Sequence, residues 1–159
     1  MTQYSYPGFG ARAVALAIDS SLLAVVHIFL FFLLAVRFLN EIKHLDVLTI
    51  LILCSFYLVV FLLSFIFLHM FYFTIFHAWS GQTLGKIIMG IRVVTAENND
   101  ISPAVAFLRW TGYILSSVPL ASGFLWSAVD KDHCGWHDRL AQTRVVSTEI
   151  TWQGIYPSI

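Results

Sequence analysis

The chain has 159 residues, of which 58% are hydrophobic, 16% aromatic and 11% charged. A soluble domain carries about 25% charged residues, so this chain has too little charge to cover a water-facing surface. Its mean hydropathy of +0.80 points to lipid as the main solvent. Nine basic side chains balance nine acidic ones and lie scattered, with no basic patch for a nucleic acid, which is not expected as a partner.

The length allows one domain, expected over residues 1–150, with a tail at 151–159. Cys54 in an apolar run and Cys134 in a polar loop suggest no disulfide framework. The opening "MTQYSYPGFG" lacks the basic region of a cleaved signal peptide, Thr2 stands where myristoylation needs glycine, and "YPSI" is no prenylation box.

Residues 13–36 form the first apolar run, with Asp19 and His27 as its ionisable groups. A hydrocarbon core of roughly 30 Å needs about 20 helical residues, so this run predicts a span. A short polar loop precedes a second run at 47–76, long enough to predict tilt or overhang. Residues 77–100 carry three glycines and two basic residues. They predict an interfacial helix from 82 to 90, a short strand at "IRVVTA" and a turn at "ENND".

Residues 103–129 form a third apolar region. Ser102 suits an N-cap and Pro103 the first helical position, while Pro119 and Gly123 interrupt the run. The region is either one kinked span or two half-length helices that enter and leave on one side. With a cytosolic N-terminus and no crossing, Arg12, Lys86, Arg92, Lys131, Arg139 and Arg144 lie inside, and Arg37 and Lys43 outside. A crossing reverses that bias, so the positive-inside rule favours two full spans plus a broken helical hairpin, with both termini cytosolic. The tail "TRVVSTEITW" reads as a strand that pairs with "IRVVTA" in this topology. The expected fold is therefore all-α transmembrane, with a small cytosolic cap containing short β-strands.

Arg12 and Asp19 are seven residues apart, on one helix face and roughly 10 Å apart along the axis. Arg12 can snorkel. Asp19 lies about 9 Å deep, where a carboxylate costs about 2.5 to 3.5 kcal/mol and faces a protein interior or wet cavity. His69 and Arg109 fall at similar depth. Asp19, His69 and Arg109 are therefore candidates for one buried cluster, with Ser20, Ser21 or Tyr72 as hydrogen-bond partners. Such a cluster serves either as a structural ion pair or as a site for a proton, cation or substrate.

Three motifs in order carry a resemblance: "RAVALAID" with Arg12 and Asp19, "GQTLGKIIMGIRVV", and "FLWSAVDKDHCGWHDRLAQTRVV" with Asp130, His137, Asp138, Arg139 and Thr143. Over about residues 7–146 the chain resembles the RDD family of small membrane proteins, named for one arginine and two aspartates. Asp138 is taken as the second aspartate, with Asp130 behind it. The chain departs in Gln142, where glycine is common, and in its "DHCG" loop. The resemblance implies a prokaryotic inner-membrane protein, with transport, ion or proton exchange among the suggested roles.

Other patterns are weaker. Asp138 in "HDRLAQT" can pair with Arg12 or Lys86, as a clamp or as a gate. "HCGWHD" gathers His133, Cys134, His137 and Asp138 without an obvious further ligand, so no metal or other cofactor is expected. "GQTLGK" has the wrong spacing for a phosphate loop, and Gly81 and Gly85 suit close packing. Trp79, Trp110 and Trp126 suit interfacial belts. No nucleophile–base pair is convincing, and an enzyme is not expected.

Two functions remain. One moves protons, cations or a small solute around Asp19, helped by His69, Arg12 or Arg109. The other is a non-transporting accessory or assembly subunit whose Arg/Asp network is a structural lock. Lipid is the expected surrounding, with a homo-oligomer or a membrane partner protein beside it. A transporter should wet Asp19; a lock should be dry and fully paired.

Overall fold

The computed structural model describes residues 6–118, 122–131 and 133–148. It divides into two compact units, one of Ser20–Phe71 and one holding the described residues up to Asp19 and from Tyr72 onward.

Two long helices run through the apolar segments, α1 over Phe9–Glu41 and α2 over Val47–Ser80. Both are long and apolar enough to cross a membrane, with mean hydropathies of 2.6 and 2.9 in their best windows. Residues 20–71 contain neither proline nor glycine, so nothing interrupts the helical ladder within that unit until the polar loop. There Asp46 starts α2 by accepting from the Thr49 N–H at 3.1 Å and the Thr49 hydroxyl at 2.6 Å. Thirty-four residues reach about 51 Å, so α2 exceeds a hydrocarbon core, as its sequence predicts. Both helices also run beyond the apolar runs, α2 as far as Ser80, where Gly81 turns the chain at φ +70.

Within Ser20–Phe71 the helices meet through rings at helical spacing. His27 packs on Phe61 and Phe65, Phe31 on Phe61, and Phe38 on Tyr57. The opposite faces leave Val25, Ile28, Leu48 and Phe56 exposed, which is the surface a lipid-embedded helix presents.

The other unit adds α3 (Leu84–Ile88), β1 (Ile91–Thr95), α4 (Pro103–Ser117), α5 (Ser122–Val129), α6 (Trp136–Leu140) and β2 (Thr143–Ser147). The predicted interfacial helix is shorter than expected because Gly90, at φ +62, turns the chain into β1. Ser102 caps α4 with Pro103 behind it, as read from the sequence. The strands pair antiparallel in the register Ile91↔Ser147 to Thr95↔Thr143. Their buried side chains Ile91, Val93 and Val145 form a small core with Ala15, Ile101 and Ala106.

That pairing decides the third apolar region. Partnered strands lie on one side of a membrane, so the intervening chain makes an even number of crossings. Helices α4 and α5 have 15 and 8 residues, about 22 and 12 Å, and neither spans roughly 30 Å alone. They are bent against each other by 98°. The result is a broken hairpin. Trp110 is buried here rather than placed in an interfacial belt, whereas Trp79 and Trp126 are exposed. The expected tail at 151–159 lies outside the described residues.

Candidate functional site

Two buried carboxylates organise the unit that holds the sheet. Asp19 is 1% exposed and Asp138 fully buried. Each receives donors from segments far away in sequence.

Asp19, on α1, is capped by the start of α3. Its Oδ1 accepts from the Tyr72 hydroxyl at 2.6 Å and the Gly85 N–H at 2.8 Å. Its Oδ2 accepts from the Thr83 hydroxyl at 2.5 Å. Thr83 is itself the N-cap of α3, its oxygen accepting from the Lys86 N–H. The Tyr72 hydroxyl in turn accepts from the Leu84 N–H at 3.2 Å. The orphan amides of the first turn of α3 are thus gathered by one carboxylate and the two hydroxyls that serve it. Gly85 makes this contact possible: a Cβ there would stand 2.1 Å from the carbonyl oxygen of Ala15. Gly81 does not serve close helix packing alone. It adopts φ +70, and its carbonyl accepts from the Val93 N–H, which ties the end of α2 to β1.

Asp138, on α6, binds two guanidinium groups. Arg12 Nη1 donates to Oδ2 at 2.9 Å, and Arg109 Nη1 lies 2.5 Å from Oδ1. The Gly135 N–H also donates to Oδ2. Arg109, 1% exposed, donates as well to the Thr143 hydroxyl at 2.5 Å. Asp138 therefore joins the start of α1 to the middle of α4, and Arg109 extends the contact to Thr143 at the start of β2. Burial alone would raise the Asp138 pKa, but the charges of Arg109 and Arg12 outweigh it and hold the group below the usual carboxylate range. Beside it, burial pushes His137 down to about 3, against the pull of Asp138, so its ring stays neutral. Its Nδ1 lies 3.4 Å from the Ser116 hydroxyl.

Lys86 is 7% exposed. Its Nζ lies 2.5 Å from His77 Nε2 and 3.5 Å from the Tyr113 hydroxyl. Burial, followed by the charge of Arg109, drives its pKa well below the ordinary lysine value; Asp138 and Asp19 oppose this.

The sequence-derived candidates separate accordingly. Arg12 pairs with Asp138, one of the two partners foreseen. Arg109 binds Asp138 and Thr143 instead of joining Asp19, because α6 brings its carboxylate against α4. Of the expected partners of Asp19, Tyr72 is present. His69 contacts the Phe65 carbonyl and ring within Ser20–Phe71. Asp130 pairs with Arg139 at 2.5 Å and accepts from the Cys134 N–H. Thr83, His77 and Tyr113 were not foreseen. A threonine just before "LGKII" is an N-cap signal; nothing local marks the other two.

Two long apolar helices, a broken hairpin and a small sheet, fastened by buried Arg/Asp contacts, define a polytopic helical membrane protein. The chain belongs to the RDD family, whose model matches residues 6–142. It is similar to the uncharacterized protein YxaI of Bacillus subtilis (strain 168), with 38% identity over 64 residues, covering 40% of this chain and 42% of that protein. No solved structure matches.

Proposed function

We propose that this RDD protein is a non-transporting, non-enzymatic accessory or assembly component of the cell (inner) membrane, with both termini cytoplasmic. Its Arg/Asp network is a structural lock. The observation that carries this reading is Asp19: it is 1% exposed, and both of its oxygens are occupied by Tyr72, Thr83 and Gly85. A carboxylate that loads and unloads a cation needs a wet approach and available lone pairs. Here every contact is a donor aimed at the oxygens. Asp138 is held in ion pairs by Arg12 and Arg109, while Arg12 Nε and Nη2 and Arg109 Nε are buried without hydrogen-bond partners among the described residues. The locked hairpin and sheet then form a fixed face for a second copy or a membrane partner protein.

The second reading, movement of protons, cations or a small solute around Asp19, draws on the burial of that carboxylate at membrane depth. Sealed proteoliposomes with an imposed pH gradient separate the two, challenged with sodium, potassium and a panel of small solutes. The lock predicts flux indistinguishable from empty vesicles for wild type and Asp19→Asn, with the variant less heat-stable. Flux in wild type that is lost in an equally stable Asp19→Asn protein would establish transport instead.

A further inference from the structure

Lys86 is the buried cation that the two carboxylates do not hold. Asp19 is filled by two hydroxyls and an amide, and Asp138 by two guanidinium groups and an amide. No ion pair reaches Lys86 among the described residues. Its nearest polar neighbour is another base, the His77 Nε2, 2.5 Å away, with His77 fully buried.

Two basic nitrogens at this separation cannot both carry a proton into the contact. Either an ammonium N–H meets the imidazole lone pair, or an imidazolium N–H meets an amine lone pair. A second proton would place two like charges in contact inside a medium that screens them poorly. The pair therefore holds one extra proton or none.

The surroundings set what that proton does. Facing the pair are Tyr113 and Arg109 from α4, Asp138 and His137 from α6, and Asp19 and Arg12 from α1. Arg12 and Arg109 together balance Asp19 and Asp138, two charges against two. We propose that Lys86 and His77 form a buried site for a single exchangeable proton, separate from the Asp19 and Asp138 fastenings, whose occupancy switches the net charge of the buried network between zero and plus one. The ligand is the proton itself. It is exchanged with water. This site does not depend on whether the network is a lock or a transport path.

The sequence contains three lysines, Lys43, Lys86 and Lys131, so one spectrum resolves the question. The full-length protein, labelled with carbon-13 at lysine Cε and held in lipid nanodiscs, is titrated from pH 5 to 11. The resonance that is missing from Lys86→Met should titrate at least tenfold lower in proton affinity than the ordinary lysine value of about 10.4. In His77→Phe the Lys86 amine loses its acceptor, and its midpoint should move by a further tenfold in proton affinity. A Lys86 resonance that titrates at the ordinary lysine value in the wild type would overturn the proposal. An unmoved Lys86 midpoint in folded His77→Phe would equally overturn it, because the two bases would then not share the proton.

Discussion

Replacing Gly85 by alanine tests how tightly α3 is seated on α1. In an ordinary helix this change is favourable by about 0.5–1 kcal/mol, since alanine loses less backbone entropy than glycine. Here the new Cβ would lie 2.1 Å from the Ala15 carbonyl oxygen and 2.9 Å from its carbon. The neighbour is backbone and cannot rotate away, so α3 must back off, at a cost of about 1–3 kcal/mol for overpacking. Backing off also stretches the Gly85 N–H bond to Asp19. A hydrogen bond to a charged group contributes about 1.5–3 kcal/mol. The steric and hydrogen-bond losses exceed the propensity gain, leaving a net destabilisation of about 2–5 kcal/mol. At about 2–4 °C per kcal/mol for a chain of this size, the melting temperature in detergent should fall by roughly 5–15 °C. An unchanged or raised melting temperature for Gly85→Ala would refute the close approach of α3 to α1 and the capping of α3 by Asp19.

Asp138→Asn leaves Arg12 and Arg109 buried without a counter-charge and should destabilise by about 3–5 kcal/mol, read as a lowered melting temperature or loss of folded yield. Because the Asp138 pKa is depressed in the fold, its contribution is present above the unfolded value of about 3.9 and fades only as pH falls below it. Melts of the wild type should therefore show no Asp138-dependent loss between pH 8 and 5. Lys86 and His137 are bases whose folded pKa values are lowered, so the unfolded chain binds the extra proton and stability rises with pH. For His137 that window runs from about 3 to the unfolded value of about 6.5. The slope is up to about 1.4 kcal/mol per pH unit, and His137→Gln should flatten it. For Lys86 the window ends near the unfolded value of about 10.4, so Lys86→Met should lose the rise in stability with pH that the wild type shows on approaching that value. Tyr72→Phe removes one donor from Asp19 while Gly85 still holds the same oxygen. It should cost about 1.5–3 kcal/mol, less than Asp19→Ala in the same melt.

Much of the scaffold can be read from residue order. The apolar runs give α1 and α2, Ser102-Pro103 gives the start of α4, and the repeated "RVV" segments become the paired strands. The charge bias and the strand pairing lead to the same broken hairpin. The Arg12–Asp138 contact was one of two partnerships foreseen, because both groups sit at the edge of the apolar segments. The grouping of Asp19 with Arg109 and His69 rested on depth alone, and depth does not fix which face of a helix a side chain occupies. Tyr72 and Thr83 satisfy Asp19 because three first-turn amides of α3 need acceptors, a demand visible only once the helix start is known. His77 and Lys86 are invisible for a further reason: a contact between two bases has no signature in sequence, since neither predicts the other.

Buried charge pairs hold separate segments of the chain together, and a double-mutant cycle across Arg12 and Asp138 measures this directly. Arg12→Met, Asp138→Asn and the double variant are unfolded reversibly in the same mild detergent. The double variant should be less destabilised than the sum of the two single changes by about 0.5–3 kcal/mol, the range for contacting residues in one network. Additivity within about 0.5 kcal/mol, the behaviour of distant sites, would contradict the lock.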